Sequence, residues 1–253
     1  MRSYTLITGA SSGIGYELAK LYAEQGEPLI LVARRKAILA EFQQQYANVE
    51  IVEMDLSQPE NAEKLFTFTE GQGWFVGRLI NNAGVGAFGE FIDTELAQDV
   101  AMVNLNIQAL MMLTKRYLQP MRQRNQGEIL NVSSIASFMP GPQMAVYYAT
   151  KAFVTSFSKA LSYELKDTNI KISILAPGPT DTGFVKSANL QNSTLFDRLK
   201  AQSAREVAEE AVKYLGRNRV IIPHWLNKLL VFSSRFAPDA LLLRIVAMLQ
   251  KRK

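Results

Sequence analysis

Tyr147 and Lys151 are the residues whose types and spacing most directly suggest catalysis. They stand four positions apart in VYYATKAFVTSFSKAL, a segment predicted to be helical, so both side chains project from one helix face. A free tyrosine phenol has a pKa of about 10, and a nearby ammonium lowers that pKa by stabilising the phenolate. Tyr147 is therefore predicted to give or take a proton near neutral pH.

Ser134 is predicted to place a hydroxyl group close to this pair. It follows the apolar run EILNV, which indicates a buried strand, and the carboxyl edge of an open α/β sheet is where ligands bind. Two neighbours lack the same spacing. Ser133 should point to the opposite side of the strand, and Tyr148 lies about 100° around the helix from Tyr147 with no lysine four residues on.

The elements that must position these residues alternate along the chain. Short apolar runs predict strands at YTLIT, PLILVA, VEIVEM, RLINNA, EILNVS, IKISILAP and RVIIP. Helical patterns cover residues 14–25, 36–46, 59–70, 96–124, 146–166 and 204–215. Such alternation is typical of βαβ units. We predict an α/β fold with a doubly wound, Rossmann-type, mostly parallel sheet of about seven strands and helices on both faces.

Length and composition agree with one large domain. The chain has 253 residues, of which 48% are apolar, enough for a full core. We expect a catalytic domain over residues 1–222 and a basic, helical C-terminal extension over 223–253. With no cysteine and one histidine, the sequence offers no disulfide and no Cys/His metal centre. The N-terminus lacks a signal-peptide pattern, so we expect a cytoplasmic protein.

Five motifs occur in one order along the chain: TGASSGIG (8–15), NNAG (81–84), Ser134, Tyr147-x-x-x-Lys151 and PGPTDT (177–182). Together they resemble the short-chain dehydrogenase/reductase family, from about residue 3 to residue 215. The resemblance implies hydride transfer between a nicotinamide cofactor and a carbonyl or alcohol. Tyr147 would be the general acid or base, Ser134 would bind the carbonyl oxygen, and Lys151 would hold the nicotinamide ribose and lower the Tyr147 pKa.

The glycine-rich turn is predicted to bind the cofactor's pyrophosphate. Gly9, Gly13 and Gly15 follow a strand and open a helix, where glycine permits close approach and helix N–H groups attract the anion. After the second strand stands Ala33-Arg34-Arg35-Lys36, without the acidic residue that binds an NAD ribose. NADP is favoured, with Arg34 the preferred contact of its 2′-phosphate. The alternative is a solvated basic start to a helix.

The resemblance implies further cofactor contacts at the ends of other strands. Asp55 would meet the adenine, although it could instead shape its own turn. The cofactor-binding set is Gly9, Ser11, Ser12, Gly13, Ile14, Gly15, Arg34, Arg35, Asp55, Leu56, Asn82, Ala83, Gly84, Tyr147, Lys151, Pro177, Gly178, Thr180 and Thr182.

Asn104 completes the predicted catalytic set of Ser134, Tyr147, Lys151 and Asn104. It stands within a long predicted helix, in MVNLNIQAL, where asparagine often marks a bend or a bound water. By resemblance it would hold a water behind Lys151. Asn106 is the competing candidate, and Asn104 is preferred because its VNL context matches the family.

Residues 183–203 show little periodicity and are predicted to cover the substrate. Their side chains, among them Phe184, Val185, Leu190, Leu195 and Phe196, favour an apolar substrate.

The C-terminal extension carries much of the positive charge. Residues 213–253 hold nine Lys or Arg against Asp239, a balance of +8, while the whole chain is +5 and the rest therefore −3. Trp225, Leu229, Phe232 and Phe236 fall on one helix face, too short a pattern to cross a bilayer. The extension could cap the substrate cleft, contact another subunit or lie on an anionic membrane.

Three functions are consistent with the sequence. The first is an NADP(H)-dependent oxidoreductase acting on a small carbonyl or alcohol, of apolar or acyl type. The others are a non-catalytic NADP(H)-binding sensor and a membrane-surface scaffold. We expect a homo-oligomer. Peripheral contact with a membrane through the C-terminal extension is a further possibility. Nucleic acid is not an expected partner, because the basic residues alternate with aliphatic rather than stacking aromatic ones.

Overall fold

A parallel sheet forms the centre of the protein. The computed structural model describes residues 2–184, 188 and 201–250. In this part of the chain the strands are β1 (Ser3–Thr8), β2 (Leu29–Ala33), β3 (Val49–Glu53), β4 (Phe75–Asn81), β5 (Gly127–Val132), β6 (Ile170–Leu175), β7 (Thr180–Asp181), β8 (Gln202–Ser203) and β9 (Val220–Ile221). Seven of them pair, all parallel, in the order β3-β2-β1-β4-β5-β6-β9, and β7 pairs with β8 separately.

Helices cover both faces of the sheet. They are α1 (Gly13–Glu24), α2 (Lys36–Gln45), α3 (Asn61–Gly71), α4 (Leu96–Val103), α5 (Leu110–Arg124), α6 (Ala145–Glu164), α7 (Ala204–Tyr214), α8 (Trp225–Ser234) and α9 (Asp239–Leu249). A π-helical segment (Asn104–Ala109) joins α4 to α5, and a 3-10 turn (Ile135–Phe138) follows β5. The predicted fold is confirmed.

The core has two halves because successive strand residues point to opposite faces. Ile7 packs with Leu18 and Phe42, under α1, α2 and α7. Leu6, one residue earlier, packs with Leu113 and Tyr117, under α3 and α5. Strands buried on both faces must be apolar throughout, as β2 is with LILVA.

The helical stretch from residue 96 to residue 124 is long and apolar enough to span a membrane, the only such stretch in the described part of the chain. Its α5 portion buries Leu113, Tyr117 and Met121 against the sheet. A core helix of this kind passes the same test of length and hydropathy, so the stretch carries no membrane assignment.

The strand order reverses direction between β1 and β4, which are neighbours in the sheet. From β1 the chain continues toward β2 and β3, and from β4 it continues toward β5 and β6. In doubly wound sheets, ligands bind in the crevice outside the carboxyl ends of the strands at this reversal. The turns that leave β1 and β4 therefore mark the place to look for a site.

Candidate active site

The turn after β1 is shaped for close approach of an anion. Gly9 has a φ of +67°, and a Cβ there would lie 2.9 Å from the Ala83 Cα, so both conformation and space require glycine. Ser12 is the N-cap of α1 and makes no capping hydrogen bond with its side chain. The Ser12 hydroxyl therefore leaves the first N–H groups of α1 available to an anion such as a phosphate, which the N-terminus of a helix favours.

Thr8 fastens this turn to the one after β4. Its Oγ1 accepts hydrogen bonds from the backbone N–H groups of Asn82 and Ala83, each at 3.0 Å. In return, the Asn82 Nδ2 donates to the Thr8 carbonyl at 2.9 Å. The role of Asn82 in the structure is thus to hold the two turns in register. Thr8 is a site-supporting residue that the sequence analysis did not select.

Gly15 supports the turn from behind and does not line the cavity. A Cβ at Gly15 would run into the Asn82 side chain and the Gly9 carbonyl oxygen. Its glycine is required by the packing of α1 against the two turns.

The two arginines after β2 take different positions. Arg35 folds back onto the glycine-rich turn, where its Nε and Nη2 donate to the Ser11 Oγ at 3.1 and 3.0 Å and Nη2 also reaches the Ser11 carbonyl. Arg34 extends outward, with its Nη1 3.8 Å from Asp55 and its side chain 68% exposed. Arg34 is therefore free to turn toward a ligand phosphate, whereas Arg35 already stabilises the loop.

The end of β5 positions α6 through two serines. Ser133 is buried, and its Oγ donates to the Lys151 carbonyl at 3.0 Å and shares a hydrogen bond with Thr155. Ser134 lies one residue later, and its Oγ accepts from the Ala136 N–H at 3.1 Å. Ser133 therefore anchors the helix, while Ser134 faces the cavity beside Tyr147.

Lys151 lies on the buried side of α6. Its Nζ donates to the Val132 carbonyl at 3.0 Å and stands 5.9 Å from the centre of the Tyr147 ring. Burial disfavours the charged ammonium and lowers the pKa of Lys151 to about 8. An ammonium has three donors, so this one hydrogen bond leaves others to face the cavity that Lys151 lines.

Tyr147 has a pKa shifted in the direction opposite to the one predicted. Burial raises the pKa of the phenol to about 12, and the hydrogen bond with Ser134 offsets part of that effect. Desolvation is the larger of these two effects, and the Lys151 Nζ lies over the Tyr147 ring, 5.9 Å from its centre. The phenol is therefore fully protonated at neutral pH.

Asn106, and not Asn104, lies behind Lys151. Asn106 is buried, its Oδ1 accepts from the Val85 N–H at 3.0 Å, and its Nδ2 donates to the Val85 carbonyl and to Thr150. A Cβ added to Gly84 would lie 3.3 Å from the Asn106 Oδ1 and 3.2 Å from the Lys151 Nζ, so both atoms border one small space. Neither Asn104, two positions earlier in the π-helical segment, nor Asn106 lines the cavity itself, and it is the contacts with Val85 and the approach to Lys151 that select Asn106.

The PGPTDT turn closes the site on the other side and receives the C-terminal extension. Thr180 donates to the Gly178 carbonyl at 3.0 Å, and Thr182 accepts from the Phe184 N–H at 3.2 Å. A Cβ at Gly178 would lie 2.5 Å from the Asn227 Nδ2. Helix α8 is thus packed directly on this turn.

These elements enclose one cavity of about 510 Å³. It brings together every predicted site residue except Asn104 and Gly15. Apolar side chains that the sequence analysis did not select also line it: Ile135, Met139, Met144, Tyr148, Leu230, Val246 and Leu249. Met139, Met144, Tyr148 and Val246 belong to one cluster with Tyr147, so the cavity wall around Tyr147 is apolar. Among the described residues, no group of three or more His, Asp or Glu is placed to hold a metal ion.

Phe184 is the one residue named for the predicted substrate cover that the structure describes. Its ring centre lies 5.3 Å from that of Tyr147. Val185, Leu190, Leu195 and Phe196 lie outside the described residues.

The inner faces of α8 and α9 form part of the cavity wall. Leu230 comes from α8, and Val246 and Leu249 come from α9. Gln250, directly after α9, is buried and donates from Nε2 to the Tyr148 Oη at 2.7 Å. The extension therefore caps the cavity. The division of the chain into two parts at residue 222 stays a prediction.

Residues 3–193 match the family model described as short chain dehydrogenase. A very-long-chain 3-oxoacyl-CoA reductase of Laccaria bicolor is 32% identical over 90% of this chain and 70% of its own length. A solved 7beta-hydroxysteroid dehydrogenase superposes with a TM-score of 0.86 at 26% identity, covering 97% of this chain and 96% of that one. A short-chain dehydrogenase from Sphingobium yanoikuyae in complex with NADPH gives 0.80 at 29% identity, covering 93% and 94%.

Proposed function

Because this chain belongs to the short-chain dehydrogenase family, we propose that it interconverts an apolar ketone and a secondary alcohol with NADP(H), using Tyr147 as the general acid or base. The observation that carries the proposal is the shared cavity. The Ser134, Tyr147 and Lys151 side chains border the same space as the glycine-rich turn, and the wall of that space around Tyr147 is apolar.

NADP is the cofactor that the residues favour. The positive φ of Gly9 and the open N-terminus of α1 suit a pyrophosphate, and Arg34 and Arg35 follow β2 with no acidic residue to bind a free ribose hydroxyl. The NADPH complex of the Sphingobium relative supports the same choice. The reduced nicotinamide, when bound, supplies a hydride.

Tyr147 is suited to give a proton to the reduced oxygen. Its pKa of about 12 keeps the phenol protonated at neutral pH, and forming the phenolate there costs about 3 kcal/mol more than in water. The hydrogen bond with Ser134 lowers this cost, and a charged Lys151 would lower it further if the ligand drew the ammonium nearer. Ser134 would also donate to the carbonyl oxygen as negative charge develops there.

The cavity wall around Tyr147 favours an apolar molecule. The cavity is lined by Met139, Met144, Phe184 and, from the C-terminal helices, Leu230 and Val246. Methionine side chains adapt to varied apolar shapes, and burying apolar surface contributes about 25 cal/mol per Å². The relatives named for 3-oxoacyl-CoA and for a hydroxysteroid are consistent with a ketone or alcohol on a large apolar frame.

The test measures NADPH oxidation with a 3-oxoacyl thioester, a steroid ketone and a small polar ketosugar. We expect turnover of at least one apolar ketone and little turnover of the sugar. Tyr147→Phe should lower kcat by at least about a hundredfold while NADPH still binds, because only the proton donor is removed. Tyr163→Phe is the matched control, since Tyr163 is 70% exposed on α6. Equal activity in wild type and Tyr147→Phe would exclude the mechanism.

The sensor alternative has a separate outcome. Tight NADPH binding without turnover of any ketone or alcohol tested would favour it over the enzyme. A cytoplasmic location and a homo-oligomer stay predictions.

A further inference from the structure

The C-terminal extension from α8 to α9 carries a concentration of exposed apolar side chains, here called the outer patch. Its members are 39% to 75% exposed: Trp225, Leu226, Leu229, Phe232, Phe236, Leu241, Leu243, Ile245 and Met248. They are nine of the seventeen large apolar residues that are exposed in the described part of the chain. Single exposed apolar residues are ordinary, but a contiguous group usually marks an interaction site.

The helical period separates this patch from the cavity wall. Trp225, Leu229, Phe232 and Phe236 follow one another at four, three and four residues, so they share one side of α8 and its C-terminal turn. Asn227 and Val231, on the opposite side, are buried. The patch is therefore a surface left over after α8 has already packed on the body of the protein.

Exposed basic residues accompany the patch. Lys228 and Arg235 flank the aromatic stripe of α8, and Arg244 lies among the exposed aliphatic residues of α9. Asp239 is the one acidic residue between 211 and 253 in the sequence, which continues after α9 as Lys251-Arg252-Lys253. Apolar side chains with flanking cations, and a tryptophan at one end, are the composition of a surface that sits in the interface of an anionic bilayer.

We propose that the outer patch docks on the surface of an anionic membrane. The charges argue against a second copy of this chain as the occupant. A two-fold contact places the same surface on both sides, so the positive charges of Lys228, Arg235 and Arg244 would face a surface that carries the same positive charges. Lipid phosphates supply the complementary charge, and acyl chains supply the complement to the aromatic stripe.

The docking has a consequence for the cavity. Leu230 and Val246, on the inner faces of the same two helices, line the cavity. A protein docked through the patch holds that wall of the cavity one helix diameter from the lipid, about 10 Å. Docking itself needs no turnover, so its test is independent of the proposed function.

The test is co-sedimentation of the full chain with vesicles of phosphatidylcholine alone or of an equal mixture with phosphatidylglycerol. We expect binding to the anionic vesicles at least about tenfold tighter than to the neutral ones, and weaker binding at high salt. Leu229→Ser/Phe232→Ser and Lys228→Glu/Arg235→Glu should each weaken binding by about tenfold or more. Trp225 emission, measured in a Trp74→Phe background, should shift to shorter wavelength on anionic vesicles.

Matched controls lie elsewhere on the surface. Ile92→Ser removes an apolar side chain that is 87% exposed, and Lys115→Glu/Arg122→Glu reverses two exposed charges with the same seven-residue spacing on α5. Both should bind vesicles within about twofold of wild type. An unchanged circular dichroism spectrum and an unchanged midpoint of urea unfolding in every variant would show that the fold is intact.

Three results would overturn the proposal. One is equal binding to neutral and anionic vesicles. Another is an equal loss of binding to anionic vesicles in the patch variants and in their controls. The third is a dimer in solution that Leu229→Ser/Phe232→Ser dissociates and that binds no vesicles, which would make the patch a contact between copies of this chain.

Discussion

Gln250 donates a hydrogen bond of 2.7 Å to the hydroxyl of Tyr148, the residue next to Tyr147. Both side chains are buried, and Gly141 packs against the Tyr148 ring so closely that a Cβ there would overlap it. The end of the C-terminal extension is thus fastened to the helix that carries Tyr147 and Lys151. The extension is a wall of the cavity that Tyr147 and Lys151 line, and its attachment can be tested directly.

Gln250→Leu is expected to lower the free energy of unfolding by about 1–3 kcal/mol, because the buried Tyr148 hydroxyl loses its partner. The measurement is urea unfolding, with the KM of an apolar ketone as a second readout that should rise as the wall loosens. Gln45→Leu, at an exposed position at the end of α2, is the control and should change stability by less than about 0.5 kcal/mol. Equal stability in the two variants would show that the hydrogen bond does not hold the extension.

Gly178→Ala is expected to push α8 from the PGPTDT turn. Its new Cβ would lie 2.5 to 2.8 Å from the side-chain atoms of Asn227. We expect destabilisation of about 1–3 kcal/mol by overpacking.

Asn227→Ala removes the atoms that the Gly178→Ala methyl group would strike. The double variant should therefore be more stable than the sum of the single effects predicts, by about 1 kcal/mol or more. Denaturant unfolding of the four proteins measures this coupling. Strict additivity would mean that the turn and α8 are not in contact in solution.

Asn106→Ala should affect the protein far more than Asn104→Ala. Removing the Asn106 amide leaves the Val85 N–H and carbonyl without their partner, at a cost of about 2–4 kcal/mol in stability. The Thr150 hydroxyl loses one donor and keeps its own hydrogen bond to the Tyr147 carbonyl. We expect kcat to fall by at least about tenfold as the space behind Lys151 changes. Asn104→Ala, measured by the same unfolding and NADPH oxidation assays, should keep kcat within about twofold of wild type and should change stability far less than Asn106→Ala does. A larger effect of Asn104→Ala than of Asn106→Ala would show that Asn104, and not Asn106, belongs to the site.

Arg34→Ser should separate the two cofactors. Because Arg34 is exposed and paired loosely with Asp55, its loss should weaken NADPH binding by about tenfold or more and leave NADH binding nearly unchanged. Arg35→Ser should weaken both, since Arg35 holds the Ser11 loop through three hydrogen bonds. Titration of each cofactor by fluorescence gives the four dissociation constants. If only Arg35→Ser weakened NADPH binding without weakening NADH binding, Arg35 and not Arg34 would be the contact of the 2′-phosphate.

Lys151 predicts a pH dependence of stability. Burial lowers its pKa from 10.5 in the unfolded chain to about 8 in the folded protein. Below pH about 8 both states hold the proton and the full cost of burying the charge is present. Between pH about 8 and 10.5 the folded protein loses the proton first, so the free energy of unfolding rises with pH.

The expected rise is about 2 kcal/mol between pH about 7.5 and 9.5, relative to Lys151→Met at the same two pH values. Tyr147 has a raised pKa of about 12, so its ionisation affects the free energy of unfolding only above pH about 10. There it makes the free energy of unfolding fall as the pH rises. Lys115→Met, at an exposed position, should track wild type. No difference in pH dependence between wild type and Lys151→Met would show that the ammonium is better solvated than its burial indicates.

The sequence alone determined the fold and most of the site. Alternating apolar runs and helical periods fix the order of strands and helices, and parallel strands end at one edge, so the turns after β1, β4, β5 and β6 had to meet. Local spacing also placed Tyr147 and Lys151 on one face of α6, because helix geometry is set by the backbone itself.

Only the tertiary structure decided the features that depend on surroundings. Asn104 and Asn106 lie on nearly opposite sides of one helical segment, and its π-helical course and its packing choose which amide faces Val85. The direction of the Tyr147 pKa shift follows from desolvation, which no motif encodes. The amphipathic pattern of the extension was visible in the sequence, but which face covers the cavity and which faces outward was set by packing against Tyr148 and Gly178.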